Sequence, residues 1–336
     1  MSSAGVSIPL ILSSSPSAQD NSLDKFASIP GVRISLSLQE LKKQLLKVGS
    51  AIAAIPDQTA SSFKRIYEFD ESSTAGKGLA EIEKLVLSQK LVGGMQGIVF
   101  DVKVGEGSSL MSRQEAKIFI SSLEKLCKRL EIGSCFILNN LNQPLGESIG
   151  NCLEVREVAK TLKGNGPLDV LKLVLELGSE MLLLARKFKT KTEAKSWLKR
   201  KIEERQALRK FEEIVMAQGG NSLLFSDGSL FPRAKIRKIL LSPRTGYLQR
   251  IKMEEMNHLW HEFTTSQPDS DRTGFLIFKK IGDRIEEDEV IAEVHLNDAG
   301  PWPVLGNRLK KAFILSKKPP GFKPFIIESV RNSHLG

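Results

Sequence analysis

The sequence predicts an α/β protein: a parallel sheet core flanked by helices, a remnant of a small helical lobe, and a C-terminal α+β domain. Three observations carry this. "GIVFDVKV" (97–104) and "SCFILNN" (134–140) are unbroken β-rich runs, the pattern of strands buried on both faces. An amphipathic helical stretch separates them, and another helix follows. Strand, helix, strand, helix in that order gives a parallel, right-handed sheet. Beyond Pro232 the texture changes to short β runs with glycines at the turns, the mark of a second α+β unit.

The elements follow in order. "SIPLIL" (7–12) reads as a short buried strand, followed by a Ser-rich loop. "SLQELKKQLLKVGSAIAAI" (37–55) has helical apolar spacing throughout, and "GKGLAEIEKLVLSQKLVGG" (76–94) is a second such helix. Its Leu79, Ile82, Leu85, Val86 and Leu91 gather mainly on one side. Ser112 with Glu115 three places on is a capping-box signature, opening the helix between the two strands. Helices are then expected near 151–163, 168–187 and 191–217. The last is rich in both signs of charge, so a salt-bridged solvated face is the reading set against a nucleic-acid surface. From about 234, "KIRKILLS", "GYLQRI" and "GFLIFKKIGDRIEEDEVIAEVHL" read as strands, with a basic, Pro-containing tail after them.

One stretch raises a question of function. In "NNLNQPLGESIGNCLEVREV" (139–158), glycines crowd the approach to a helix amino end, where free N–H groups and turn carbonyls can face a small ligand. The alternative is a tight strand-to-helix turn and nothing more. Elsewhere little chemistry stands out. His258 and His261 lie one residue short of helical ligand spacing, without a cysteine or aspartate partner near them, and read as ordinary histidines. No Walker, G-x-S-x-G or H-E-x-x-H motif is present.

Composition bounds the setting. The 336 residues are 41% hydrophobic and 26% charged, ordinary for a globular protein of about two domains. A formal net charge of +10 favours anionic partners without fixing which. Cys127, Cys135 and Cys152, odd in number and without metal-ligand spacing, suit a reducing compartment. No apolar run reaches membrane-spanning length, and the amino end lacks the basic residues of a leader, so a cytoplasmic location is expected.

Five segments, "LDKFASIPGV", "DVKVGEG", "LNQPLGESIGNCLEVREVAKTLKGNGP", "LELGSEMLLLA" and "KKIGDRIEEDEVIAEVH", resemble the thymidine and pyrimidine-nucleoside phosphorylases, in unbroken order from about Ile8. The resemblance implies a homodimer, or pairing with a related subunit. It also implies phosphorolysis of a pyrimidine nucleoside by phosphate to free base and (deoxy)ribose 1-phosphate. It divides the chain into the start of the α/β core (1–61), a helical-lobe remnant (62–92), the core with its helical segments (93–230) and the α+β domain (231–336). The family's Gly-rich phosphate loop is expected to lie upstream of this chain, which therefore reads as an N-terminally truncated, divergent member.

Carried over residue by residue, the site is eroded. The family's phosphate-binding serine falls on Leu12, with Ser13 beside it, and of a Gly-His-Thr-Gly-Gly-Thr stretch only the last hydroxyl survives, as Ser22. At the base site Tyr67 is kept, but the arginine falls on Asp70, the serine on Leu85, the lysine on Gln89 and the walling phenylalanine on Ser109. One lost oxyanion-type donor typically costs ~10²–10³ in rate, and an acid in place of the arginine puts like charge where charge builds. A potassium half-site is implied at Leu145, Ser148 and Glu157. No catalytic residue is assigned. The expected function is a phosphorylase homologue, weak or inactive. The alternatives are a non-catalytic binding protein, docking through an uncovered 78–92 helix, and a polyanion binder, with nucleic acid the less favoured partner.

Overall fold

The structure, a computed structural model, describes residues 1–12, 22–54, 94–267 and 269–332 together with helical positions 79, 82, 83, 86, 87 and 90. Strand β1 (Ile8–Leu12) pairs in parallel with β2 (Ser50–Ala54), Ile8 opposite Ser50. Helices α1 (Ser22–Ala27) and α2 (Leu38–Val48) lie between them in the chain. The expected single helix over 37–55 is therefore a helix and a strand. Gly49, at φ 81°, ends α2 with its N–H on the Leu45 carbonyl. Beyond it, pairing with β1 buries Ala51 and Ala53 against Ile11, Leu36 and Leu41. Small residues at both positions allow that close packing, which helical spacing did not show.

The helical positions of the 76–94 segment correct a second expectation. Val86 is fully buried with Cys127 and Ile132, and Ile82 packs on the same cluster. Leu79 and Ile82 also cover Val102, Ile120 and Phe136. Among the described residues this apolar face is internal core, seated on the sheet and its crossing helix, and no docking surface is found there. Leu85 and Leu91 lie outside the described residues.

Strands β3 (Gly97–Val104) and β4 (Gly133–Asn140) pair in parallel, and α3 (Arg113–Arg129) crosses between them. The Phe100 and Phe136 rings stack with centroids 4.7 Å apart, fixing the register from the α3 side. Ser112 caps α3 as expected, accepting from the Glu115 N–H at 3.2 Å. The returning bond reaches Met111 N (2.8 Å), one residue earlier than a capping box. Short β5 (Ser148–Ile149) and helix α4 (Asn151–Leu162) follow, then α5 (Leu168–Leu184), α6 (Lys191–Glu203), α7 (Gln206–Ala217) and a turn of helix, α8 (Leu223–Ser226).

The expected 191–217 helix is two helices. Arg205 takes a left-handed conformation, φ 57°. Ile202 and Leu208 are both buried, yet on one continuous helix they would point about 120° apart. The break lets both face the interior. Two basic residues of α6 are used inward: Lys191 reaches Glu180 at 2.7 Å and also pairs with Glu176, which Lys195 meets at 2.5 Å.

The remaining strands are β6 (Ile236–Leu241), β7 (Gly246–Ile251), β8 (Gly274–Ile277), β9 (Arg284–Ile285), β10 (Val290–Leu296) and β11 (Phe313–Ser316), with helices α9 (Met253–Ser266) and α10 (Trp302–Ala312). They form sheets in the orders β5-β8-β10-β6 and β11-β7-β9 around one large cluster that includes Phe263, Phe275 and Leu309. His258 and His261 sit exposed on α9. The tail then leaves this sheet pair: β12 (Ile326–Asn332) pairs antiparallel with β4. Arg331 anchors it, donating to the buried Glu180 carboxylate (Nε–Oε2 2.8 Å). No helix among the described residues is long and apolar enough to cross a membrane.

Two outcomes follow from this packing. Val86→Ala should lower the urea-unfolding free energy by about 2 kcal/mol, where an exposed helix face would show less than about 0.5. Burial disfavours charge on Glu176 and Glu180, but the hydrogen bonds from Lys191, and from Lys195 and Arg331 respectively, outweigh it and hold both carboxyls below their ordinary range. Their contribution to stability is thus full above about pH 4.3 and lost as pH falls through the depressed folded values. Urea midpoints across pH 3–7 should fall less steeply with acid in Glu180→Gln than in the wild type.

Candidate functional site at the carboxyl ends of β3 and β4

Alternation along "DVKV" places Asp101 and Lys103 on the face of β3 opposite Val102 and Val104, and β4 brings Asn139 beside them. Lys103 Nζ lies 2.9 Å from Asp101 Oδ2, and Asn139 Nδ2 donates to Asp101 Oδ1. Asn139 is 1% exposed and its Oδ1 has no hydrogen-bond partner. The strand ends open into a cleft of about 530 Å³. Val104, Gly105 and Glu106 line it from β3, Asn140 and Asn142 from β4, and Arg113, Lys323 and Phe322 border it. Arg250 holds Glu106 at 2.8 Å. Amides and two cations facing one cleft at strand carboxyl ends can bind a small anion or polar ligand.

The turn after β4 is built from inside. Gly146 (φ 67°) and Gly150 (φ 132°) are places where a side chain cannot fit: a Cβ would lie 2.1 Å from Glu157 Oε1 and 2.4 Å from the Thr273 carbonyl. Glu157 Oε2 accepts from Glu147 N (2.8 Å) and Ser148 N (3.0 Å), and burial pushes its carboxyl pKa up. Lys280, from the loop after β8, inserts its ammonium among the Pro144 carbonyl (2.7 Å), the Gly146 carbonyl and Asp169 Oδ2 (2.9 Å). Asp169 also accepts from Gly146 N at 3.2 Å, and Gln143 Oε1 accepts from Ile281 N at 2.7 Å. The glycines therefore serve contacts within the protein.

No family model matches the chain. Curated relatives do. Pyrimidine-nucleoside phosphorylases of Staphylococcus aureus strains bovine RF122 / ET3-1, USA300 and NCTC 8325 are 29% identical over 280 residues, 82% of this chain. The chain is a relative of the pyrimidine-nucleoside phosphorylases. The matched stretch spans 65% of the length of those relatives, less than two thirds.

Against that relationship, the structure places the expected site residues unevenly. Ser22 opens α1 and is exposed. Helix α1 is tied to α4 by Lys25–Glu154 at 2.8 Å and by Cys152 Sγ on the Ser28 carbonyl at 3.9 Å. Ser109 is exposed in the loop after β3, beside the cleft but not among its lining residues. Ser13, Tyr67, Asp70, Leu85 and Gln89 lie outside the described residues. Leu145, Ser148 and Glu157 do come together at the turn. For a potassium ion they offer the Leu145 and Ser148 carbonyls and Glu157, but Glu157 Oε2 is already shared by two N–H groups and Lys280 already brings positive charge to the same turn. Among the described residues no cluster of three acidic, histidine or cysteine side chains would complete a cage. These residues do not by themselves fit a complete ion site.

Asp101, Lys103, Asn139 and Lys280 escaped the reading from sequence. The first two were visible as an i, i+2 pair on a buried strand; the others needed the register and the long-range fold. Lys280→Met should lower the unfolding free energy by about 1–3 kcal/mol, because Asp169 and two turn carbonyls lose their donor. Urea denaturation, with the β5–β8 amides followed by hydrogen exchange, measures both the loss and its place.

Proposed function

We propose that this chain is a phosphorylase-scaffold protein whose ligands are phosphate and a pyrimidine nucleoside, bound weakly, with little or no phosphorolysis of its own. The observation carrying this is the loop after β3. Where the resemblance calls for a phenylalanine wall on the base, Ser109 stands exposed and outside the cleft lining. A pyrimidine stacked there would lose the ring contact that aligns it across from the phosphate. The sequence adds three replacements at positions that bind the leaving base: Asp70 for arginine, Leu85 for serine and Gln89 for lysine. Donors matched to charge developing on the leaving base are usually the largest single term in such catalysis, and here one has the opposite sign.

The arrangement of the cleft supports ligand binding more than turnover. Arg113 and Lys323 can meet a phosphate, and Asn140 and Asn142 can hydrogen-bond a sugar or base. No general acid and base are paired within it among the described residues. Lys103 and Asp101 neutralise one another instead of activating a nucleophile. A dimer in the cytoplasm belongs to the same reading and rests on the family resemblance.

The purified chain, incubated with thymidine or uridine and phosphate and followed by chromatography of the released base, should turn over far more slowly than the ~1 s⁻¹ of an ordinary enzyme. Phosphate-dependent release at ~1 s⁻¹ or above overturns the proposal. Calorimetry with thymidine should likewise show no micromolar binding that Tyr67→Ala abolishes.

A further inference from the structure

The cleft at the ends of β3 and β4 has its polarity set by the backbone around it. Glu106 N donates to Asn142 Oδ1 at 3.1 Å, and Asn142 N donates to Asn140 Oδ1 at 3.0 Å. An N–H can be met only by the oxygen of a side-chain amide, so both asparagines keep their Nδ2 groups for something else. Neither Nδ2 has a partner among the described residues. Gly105, at φ 126°, makes room for this arrangement: a Cβ there would lie 2.5 Å from Asn142 Oδ1. Glu106, the one acid among the lining residues, has its two oxygens 2.8 and 3.0 Å from Arg250 Nε. Arg113 and Lys323 make no hydrogen bond or ion pair among the described residues. The cleft therefore offers a ligand two amide donors and two cations.

The segment between β11 and β12 supplies another border. It is tied down where it meets β4: Asn140 N donates to the Phe325 carbonyl at 2.8 Å, and Ile326 stands opposite Asn139. Pro319, Pro320 and Pro324 fix φ along it. This strap holds Phe322 at the edge of the cleft with its ring 93% exposed. We propose that the cleft binds a nucleoside monophosphate. The base stacks on Phe322, the phosphate lies with Arg113 and Lys323, and oxygens of the base or sugar accept from Asn140 and Asn142. The inference rests on the phosphorylase-scaffold reading for the choice of a pyrimidine, and it places base and phosphate in one molecule. A phosphomonoester carries about two negative charges near neutral pH, which a guanidinium fork and an ammonium can share. An aromatic ring stacks any base by its π-face, so the tail provides the planar contact that Ser109 does not. The cleft volume of about 530 Å³ lies within the range of small-molecule sites.

Calorimetry of the full chain with uridine monophosphate, uridine and ribose 5-phosphate, at ionic strength matched with sodium chloride, tests this. The monophosphate should bind at least about tenfold tighter than either fragment. Phe322→Ala should weaken the monophosphate and uridine about tenfold, the value of one base–aromatic stack, and leave ribose 5-phosphate unchanged. Arg113→Gln should do the reverse, weakening the monophosphate and ribose 5-phosphate while leaving uridine unchanged. Phe322→Trp should keep the affinity and add a saturable fluorescence change on nucleotide that the wild type lacks. Absence of saturable monophosphate binding, an affinity no better than that of uridine, or equal affinities in Phe322→Ala and the wild type overturns the proposal. The phosphorylase-scaffold reading fails on a different measurement, fast release of base from thymidine or uridine, so the two failures are distinguishable.

Discussion

The ammonium group of Lys280 is the contact on which the two halves of the molecule depend. It closes the turn after β4 by bonding two turn carbonyls and Asp169, and so links β4, the start of α5 and the C-terminal sheet through one side chain. A turn with its carbonyls directed inward is costly unless a cation or donors meet them. Here the protein supplies that cation. The consequence is rigidity exactly where the chain passes from the sheet into α4: β5 can pair with β8, and Glu157 can cap two backbone N–H groups, because the turn cannot open.

A second tie acts from the opposite direction. The tail returns from the C-terminal strands to lay β12 along β4, and its Arg331 reaches Glu180 on α5. Lys191 of α6 reaches the same carboxylate. Two cations around one buried acid join a tail strand, a core helix and a surface helix. Breaking such an arrangement by removing one partner leaves an uncompensated charge, so its integrity matters more than its net worth. Together the turn and the tail hold the C-terminal unit against the core from both sides of β4.

Scaffold and site place their demands on different side chains. The turn after β4 carries internal bonds: its glycines fit against Glu157 and Thr273, and the "KKIG" segment delivers Lys280. A fold can be kept by packing and hydrogen bonding after a site is lost, because the two constraints rest on different side chains.

The sequence by itself determined the element types wherever a pattern was long and uniform. Both parallel strands of the core, the Ser112 cap and the C-terminal strands were legible because period and capping chemistry are local, although β3 buries only Val102 and Val104 where its unbroken run suggested burial on both faces. The relationship to the phosphorylases was legible in the turn. Helix boundaries at Gly49 and Arg205 were not, since both breaks serve to bring Ala51, Ala53, Ile202 and Leu208 onto cores made by distant segments. The fate of the Leu79–Val86 face was also decided in three dimensions: a helix pattern says that one side is apolar, not what covers it. Asn139 beside Asp101 and Lys280 in the turn join residues 38 and 136 positions apart. No local period encodes such distances; strand register and helix packing set them, and only the tertiary structure brings those groups within reach.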